Sequence, residues 1–460
     1  MNNLTIQEIL NSLQQKKFSS AELTRYYLKK SREDLDKGDS GVRPFITLLD
    51  DMAIARAEEA DKRISQGETA PLLGVPLAIK DNINIEGAET TCASQILKGY
   101  ISPYDAYVIK KLKDAGAVFT AKTNMDEFAM GSSNETSSYW STRNPHDLSR
   151  IPGGSSGGSA AAVSGDFVSG AIGSDTGGSI RLPAGLCGIV GVKPTYGRVS
   201  RFGLVAYGSS LDQIGPLTKT VEDAALMLSV LSGYDKMDST SIDVPIDNYS
   251  QGLRNSIKGK KIGVPKEYFI EGLDDDVKKT ILKAIDMLKS QGCEIVDISL
   301  PRTGYAVPVY YIIATSEASS NLARFDGIRY GKRVKDEDIT ELFMKTRDAG
   351  FGDEVKRRIM IGTYSLSSGY YDAYYLQALK ARTIIKNDFL NAFEKVDAII
   401  SPVSPTTAFK IGEKINDPIK MYLSDIFTIS ANLAGIPGIS LPIEKNAQGL
   451  PVGVQLMGKH

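Results

Sequence analysis

The chain has 460 residues, 42% hydrophobic and 24% charged, with 54 Lys plus Arg against 55 Asp plus Glu. That composition excludes a mainly disordered chain, and the balanced charge excludes a broad basic face for gripping nucleic acid, leaving such contact to a local patch or a partner. Cys92, Cys187 and Cys293 lie far apart without metal-ligand spacing, the start "MNNLTIQEILNSLQQKK" is polar where a secretory signal is apolar, and no run reaches the roughly 18 apolar residues that span a bilayer, so a reducing, cytoplasmic setting with no membrane partner is expected.

Taken in chain order, Thr5 to Glu8 and Ser19 to Glu22 are capping-box patterns ahead of helical apolar spacing, which makes residues 1–70 a helical N-terminal part. "GVPLAIKDNI" is a short apolar run bounded by Pro and Asn, a buried strand ending near Lys80. A helix from Asp105 to a stop at Gly116 precedes the strand "AVFTAK". Residues 71–231 hold the motifs that carry chemistry, and residues 232–261, polar and sparse in large apolar residues, read as a surface connection. The second α/β part, 262–460, repeats the grammar: Val277, Ile281, Ala284, Ile285 and Leu288 share a helix face, Gly292 ends it, and "CEIVDISL" follows. "KIGV", "VDAIISPV", "PGISLPI" and "PVGVQLMG" are further strands, and a mixed sheet flanked by helices accommodates them all.

"GGSSGGSAAAV", Gly153 to Val163, packs serines among glycines ahead of an alanine run. Ser155 and Ser156 both fit G-x-S-x-G, but the elbow fold needs a late histidine and the chain has only His146 and the terminal His460. Every Gly-Lys pair lacks the Ser or Thr of a P-loop, and no HExxH zinc motif exists. A helix entry capped by a serine is the alternative without chemistry. "AIGSDTGGSIRLPAGLCG" ends a small-residue strand in Thr-Gly-Gly-Ser, where consecutive backbone N–H groups can converge on one point beside Ser179, as an oxyanion hole requires; a plain tight turn is the other reading.

With histidine scarce, the base for such serines is a lysine on an apolar strand, and Lys80 is the one so placed. Holding it neutral near pH 7 costs about 4 to 5 kcal/mol, which burial can supply. Asp81 would oppose this by stabilising the ammonium, but adjacent strand residues point to opposite faces, so Asp81 is expected to face away. A lysine at a surface strand end is the reading without chemistry.

In this order and at these separations, "GVPLAIKDN", "GGSSGGSAAAV" and "GSDTGGSIRLPA" resemble the amidase signature family. The likeness runs nearly end to end through "TNMDEFAMGSS", "KPTYGRVSRFGLVAYGSSLDQIGP" and "EVKRRIMIGTYSLSSGYYDAYY" to the branch of that family that feeds ammonia to tRNA-dependent transamidation. The resemblance implies a single α/β domain with a large mixed β-sheet between layers of helices. It implies Ser179 as nucleophile, Ser155 as relay after a cis peptide, and Lys80 as base, with the N–H groups of Thr176, Gly177, Gly178 and Ser179 as the oxyanion hole.

For glutamine as substrate, the resemblance implies Arg358 for the α-carboxylate, Asp425 for the α-ammonium and Tyr310 as a neighbour, although Arg357 sits beside Arg358. No metal or cofactor is implied in this chain. ATP and Mg²⁺ are expected at a partner, the B subunit, which would also hold misacylated tRNA, with a small C subunit as the third member of a heterotrimer. The chain stops at "QLMGKH", where the family usually continues through a further helical stretch, a difference that bears on packing there rather than on the chemistry upstream. A free-standing small-amide amidase with the same Lys80, Ser155 and Ser179, and an assembly subunit without activity, are the alternatives.

Overall fold

The computed structural model describes residues 1–270 and 272–460. Both capping boxes form: Thr5 and Glu8 cap each other at the helix Ile6–Gln14, and Ser19 and Glu22 do so at Ser20–Asp36, each satisfying N–H groups that a helix start leaves orphaned. The N-terminal part also contributes a strand, β1 (Phe45–Leu48), between these helices and Asp50–Ser65.

Among the described residues ten further strands complete one sheet: β2 (Pro76–Lys80), β3 (Val118–Thr123), β4 (Gly170–Asp175), β5 (Val190–Lys193), β6 (Gln213–Thr218), β7 (Lys261–Pro265), β8 (Glu294–Ile298), β9 (Ala398–Pro402), β10 (Gly438–Lys445) and β11 (Pro451–Gly458). Their order is β1-β3-β2-β4-β6-β5-β10-β11-β9-β7-β8, so both halves of the chain share a single sheet. It is mixed: β3, β2 and β4 are parallel, as are β9, β7 and β8, while the pairs between β4 and β9 are antiparallel.

Every residue of β2, β3 and β4 is buried, which is why these segments read as continuous apolar or small-residue runs rather than alternating ones. The helices Gly157–Ser164 and Arg181–Cys187 pack on the sheet, and Ala306–Asn321, Asp353–Leu366 and Tyr375–Ala392 stack on one another and share a core cluster with Met457 of β11, Ile399 of β9 and Ile298 of β8. The apolar pattern of the sequence does not announce two of these three, Ala306–Asn321 and Tyr375–Ala392. In both, the apolar residues run round the helix instead of along one stripe, so the period that marks a surface helix is missing.

Residues 232–260 hold no helix or strand and are mostly exposed from Ser239 onward. No helix among the described residues is long and apolar enough to cross a membrane. The three cysteines are buried and free.

For function, the decisive feature is the parallel pairing of β2 with β4, with Ile79 opposite Ile172. It brings the C-terminal ends of both strands, Lys80 on one and Ser174–Asp175 on the other, to the same edge.

Candidate active site

Lys80, the last residue of β2, is fully buried. Its Nζ lies 2.8 Å from Ser155 Oγ, 2.9 Å from Ser156 Oγ and 2.9 Å from Ser174 Oγ. Burial lowers its pKa to about 7, against the pull of Asp126, Asp175 and Asp212. A group in this setting is an uncharged amine for much of the neutral range, and three hydroxyls offer it bonds without offering it a counter-charge.

The two adjacent serines differ in how their protons are spent. Ser156 donates its hydroxyl to the Ser174 carbonyl at 3.0 Å, which leaves its oxygen to receive an N–H from Lys80. It therefore does not cap the helix Gly157–Ser164 that it precedes; the helix is present, but the capping bond expected of a serine there is not. Ser155 follows a cis peptide bond from Gly154, and apart from Lys80 its hydroxyl has no partner among the described residues. Ser155 is thus the serine with a proton free to give.

Ser179 ends the turn after β4 and keeps 7% of its surface exposed. Its carbonyl accepts the Ser156 N–H at 3.1 Å, which pins the turn to the Ser155–Ser156 stretch. The Ser179 hydroxyl has no hydrogen-bond partner among the described residues, so the Ser155–Ser179 contact is left open, as catalytic hydrogen bonds often are before substrate tightens them.

Asp175 shapes this turn from below. Its carboxylate accepts the N–H of Gly178 at 2.9 Å and of Ile180 at 3.1 Å, and pairs with the Arg181 guanidinium through Nε and Nη2, both at 3.1 Å. Burial acts to raise the Asp175 pKa, but Arg181, Lys193 and Asn432 outweigh it and hold it at about 2. One expectation is thereby corrected. The Gly178 N–H cannot serve an oxyanion while it is bonded to Asp175, which leaves Thr176, Gly177 and Ser179 with N–H groups that no acceptor among the described residues engages. Gly178 is needed for another reason: its φ of +136° turns the chain in a conformation that a side chain resists.

The second half of the chain supplies the groups that could read a substrate's charges. Arg358, on the helix Asp353–Leu366, is 3% exposed; its Nε bonds Glu354 at 2.8 Å and its Nη1 bonds the Tyr207 hydroxyl at 2.7 Å. The rings of Tyr311 and Tyr422 lie 5.1 and 5.3 Å from the guanidinium, within cation–π range. Arg357 is on the outer face, 44% exposed and paired to the same Glu354, so of the two arginines only Arg358 points inward.

Asp425 is 8% exposed and accepts a short bond from the Ser132 hydroxyl. Burial raises its pKa to about 7, with Ser132 and Arg358 pulling the other way. A cleft of about 390 Å³ is lined by Ser132, Glu354, Arg358 and Tyr422. Thr428 joins this end to the Ser179 turn by donating to the Gly177 carbonyl at 2.7 Å and to the Asp425 carbonyl at 3.1 Å. Tyr310 is buried against the same turn: a Cβ on Gly177 would stand 2.8 Å from its hydroxyl, so only glycine fits there.

The structure thus brings Lys80, Ser155 and the Ser179 turn to one place and sets Arg358, Asp425 and Tyr310 around its far side. Sequence reasoning missed Asp175, Arg181, Ser132, Glu354 and Tyr207. An acidic and a basic residue six apart, bracketing Thr-Gly-Gly-Ser in an otherwise small and apolar stretch, was the available signal for the first two. Neither histidine takes part: His146 bonds the Cys187 carbonyl at 3.0 Å, and His460 lies beyond β11. Among the described residues no three His, Cys, Asp or Glu side chains are grouped to hold a metal ion. A larger groove of about 910 Å³ runs past Tyr196, Arg382 and Leu433 and contains none of these groups.

The profile of the amidase family matches residues 22–460. The chain is 56% identical over 458 residues to the A subunit of glutamyl-tRNA(Gln) amidotransferase from Geobacter metallireducens, covering 99% of this chain and 94% of that one. It is 60% identical over 418 residues to the protein of that name from Thermodesulfovibrio yellowstonii, covering 91% and 86%. Among solved structures, the crystal structure of the A subunit of glutamyl-tRNA(Gln) amidotransferase from Thermotoga maritima is 44% identical and superposes with a TM-score of 0.80 over 99% of this chain and 91% of that one. A peptide amidase in complex with chymostatin is 30% identical with a TM-score of 0.82, covering 99% and 93%.

Proposed function

The chain belongs to the amidase signature family, and from that premise we propose that it is the glutamine-hydrolysing subunit of a tRNA-dependent amidotransferase, working through Lys80, Ser155 and Ser179. The observation that carries the mechanism is the fully buried Lys80 amine within 2.8 Å of Ser155.

Neutral Lys80 takes the proton of Ser155, which takes that of Ser179 as Ser179 Oγ attacks the side-chain amide carbon of glutamine. The oxyanion is met by the N–H groups of Thr176, Gly177 and Ser179. Collapse expels ammonia, the protonated relay returning its proton to the leaving nitrogen, and water releases glutamate from the glutamyl-enzyme along the reverse path. Arg358 pairs with the α-carboxylate and Asp425 with the α-ammonium, while Tyr310 walls the turn.

The ammonia then passes to a partner, the B subunit, which with ATP and Mg²⁺ activates the glutamyl or aspartyl group on misacylated tRNA; a small C subunit is the third member of the assembly. Near-zero net charge supports this division of labour, since the polyanion is gripped elsewhere. The setting is the cytoplasm, where tRNA is charged.

Purifying the chain with its co-expressed partner subunits tests the whole reading: ATP-dependent, glutamine-driven amidation of misacylated tRNA is expected, and a complex that hydrolyses glutamine without amidating tRNA overturns the partner assignment. Asp425→Ala separates this function from a general amidase. Removing one partner of a buried ion pair costs about 3 to 5 kcal/mol, so kcat/KM for glutamine falls by about two to four orders of magnitude while a small neutral amide is still cleaved at close to the parent rate. Equal loss on both substrates counts against glutamine reading by Asp425.

A further inference from the structure

Lys80 is followed directly by a carboxylate, and a lysine that must shed its proton is badly served by a neighbouring negative charge. The fold deals with Asp81 on the opposite face of the sheet. Asp81 is buried, and its Oδ1 lies 3.1 Å from Nζ of Lys122, itself fully buried on the adjacent parallel strand β3. The register sets Lys122 opposite Ile79 and Thr123 opposite Lys80, so Lys122 and Asp81 share the face that Lys80 does not use. Nζ of Lys122 also donates to the Glu89 carbonyl at 3.1 Å and to Thr90 Oγ1 at 3.0 Å, and Asp81 Oδ2 accepts from the Thr91 N–H at 3.0 Å. A buried carboxylate and a buried ammonium, each fixed by backbone groups, leave the Lys80 side with almost no net charge from this pair.

We infer that Lys122 acts on the catalytic base from behind the sheet: by cancelling the Asp81 carboxylate it keeps that charge from stabilising the ammonium form of Lys80. This rests on the reading of Lys80 as the base. Both residues are positioning groups; neither touches substrate. The other charged or titratable groups facing Lys80 are Asp126 from the segment after β3, Asp175 of β4 with its partner Arg181, Asp212 ahead of β6, and the Cys92 thiol. All remain in place when the pair is altered, so they set a constant background against which the pair is measured.

The test is the pH dependence of kcat at saturating glutamine, measured on the complex with its partner subunits, where bound α-ammonium keeps Asp425 ionised and the acid limb belongs to Lys80. An uncompensated charge on the order of 10 Å away at an effective dielectric of about 20 moves a titration by about one pH unit. Lys122→Met exposes Lys80 to the lone carboxylate and is expected to move the acid limb about one unit upward. Asp81→Asn leaves Lys122 unbalanced and moves it about one unit downward. The double variant, with neither charge, returns it near the parent value.

Opposite shifts that cancel in the double variant are a signature that loosened packing does not produce. Limbs that stay at the parent pH in both single variants, or that move in the same direction, overturn the inference. If Lys122→Met does not fold, Asp81→Asn, which preserves shape and the Thr91 contact, still decides the point by its own downward shift or its absence. A parent complex with no acid limb at all defeats the assignment of the base instead.

Discussion

Lys80→Arg is expected to lower kcat for glutamine hydrolysis by about four orders of magnitude, with the fold and the assembly with partner subunits intact. Arginine is the informative replacement because it keeps N–H donors close to Ser155, Ser156 and Ser174, yet its guanidinium stays charged and does not give up a proton in the working range. What it removes is the lone pair. The same argument fixes the sign of the parent enzyme's pH dependence. Burial has lowered the Lys80 pKa to about 7, and the active form is the neutral amine, so activity rises as pH increases through about 7 and is lost below it. A steady-state pH series on both proteins checks this, and an Arg variant with a tenth or more of parental activity places the base elsewhere.

The loss would not come from tertiary collapse. Thermal unfolding of Lys80→Arg and of Lys80→Met makes that separable: the methionine variant takes away the desolvation cost of a buried amine and is expected to be no less stable than the parent, while being as inactive as the arginine variant.

Whether a feature was legible in the sequence depended on how local its cause is. The capping boxes at Thr5 and Ser19 formed as read, because donor and acceptor lie three residues apart and need nothing from the rest of the chain. The burial of Lys80 was legible only in part: the apolar run Val75–Ile79 leads into it, but Asp81 and Asn82 follow, so a strand end at the surface fitted the same residues, and it is the packing around β2 that decides for burial. The opposed faces of Lys80 and Asp81 followed from the two-residue period of a strand.

The division between Ser155 and Ser156 was not legible from either serine's neighbours. Both fit the same short pattern, and what distinguishes them is the Ser174 carbonyl, which takes the proton of Ser156 from a strand eighteen residues on. Resemblance, not spacing, singled out Arg358 over Arg357. A helix turns about 100° per residue and so sends the two to different faces, but which face is inside depends on Tyr207, Tyr311 and Tyr422, brought from three distant segments. The Gly178 expectation failed for a related reason: a run of small residues announces free N–H groups, but not that Asp175 folds back to occupy one of them.

Ser179→Ala carries the other large effect, a fall in kcat of about five to six orders of magnitude, as expected when the attacking atom itself is removed. The comparison that gives this meaning is Ser155→Ala. Losing the relay leaves Ser179 Oγ in place, but with no group to take its proton and pass it to Lys80, so that variant is expected to fall by about three orders of magnitude and still to acylate slowly. Denaturing mass measurement after mixing with glutamine distinguishes the two: a glutamyl adduct on the Ser179 peptide in the Ser155→Ala protein, and none on any serine in the Ser179→Ala protein. An adduct on Ser155 would reverse the two roles. The geometry argues against that reversal, because the Ser155 hydroxyl faces the fully buried Lys80 amine at 2.8 Å, whereas the Ser179 hydroxyl is unbonded, partly exposed, and stands on the turn whose remaining N–H groups are free to receive an oxyanion.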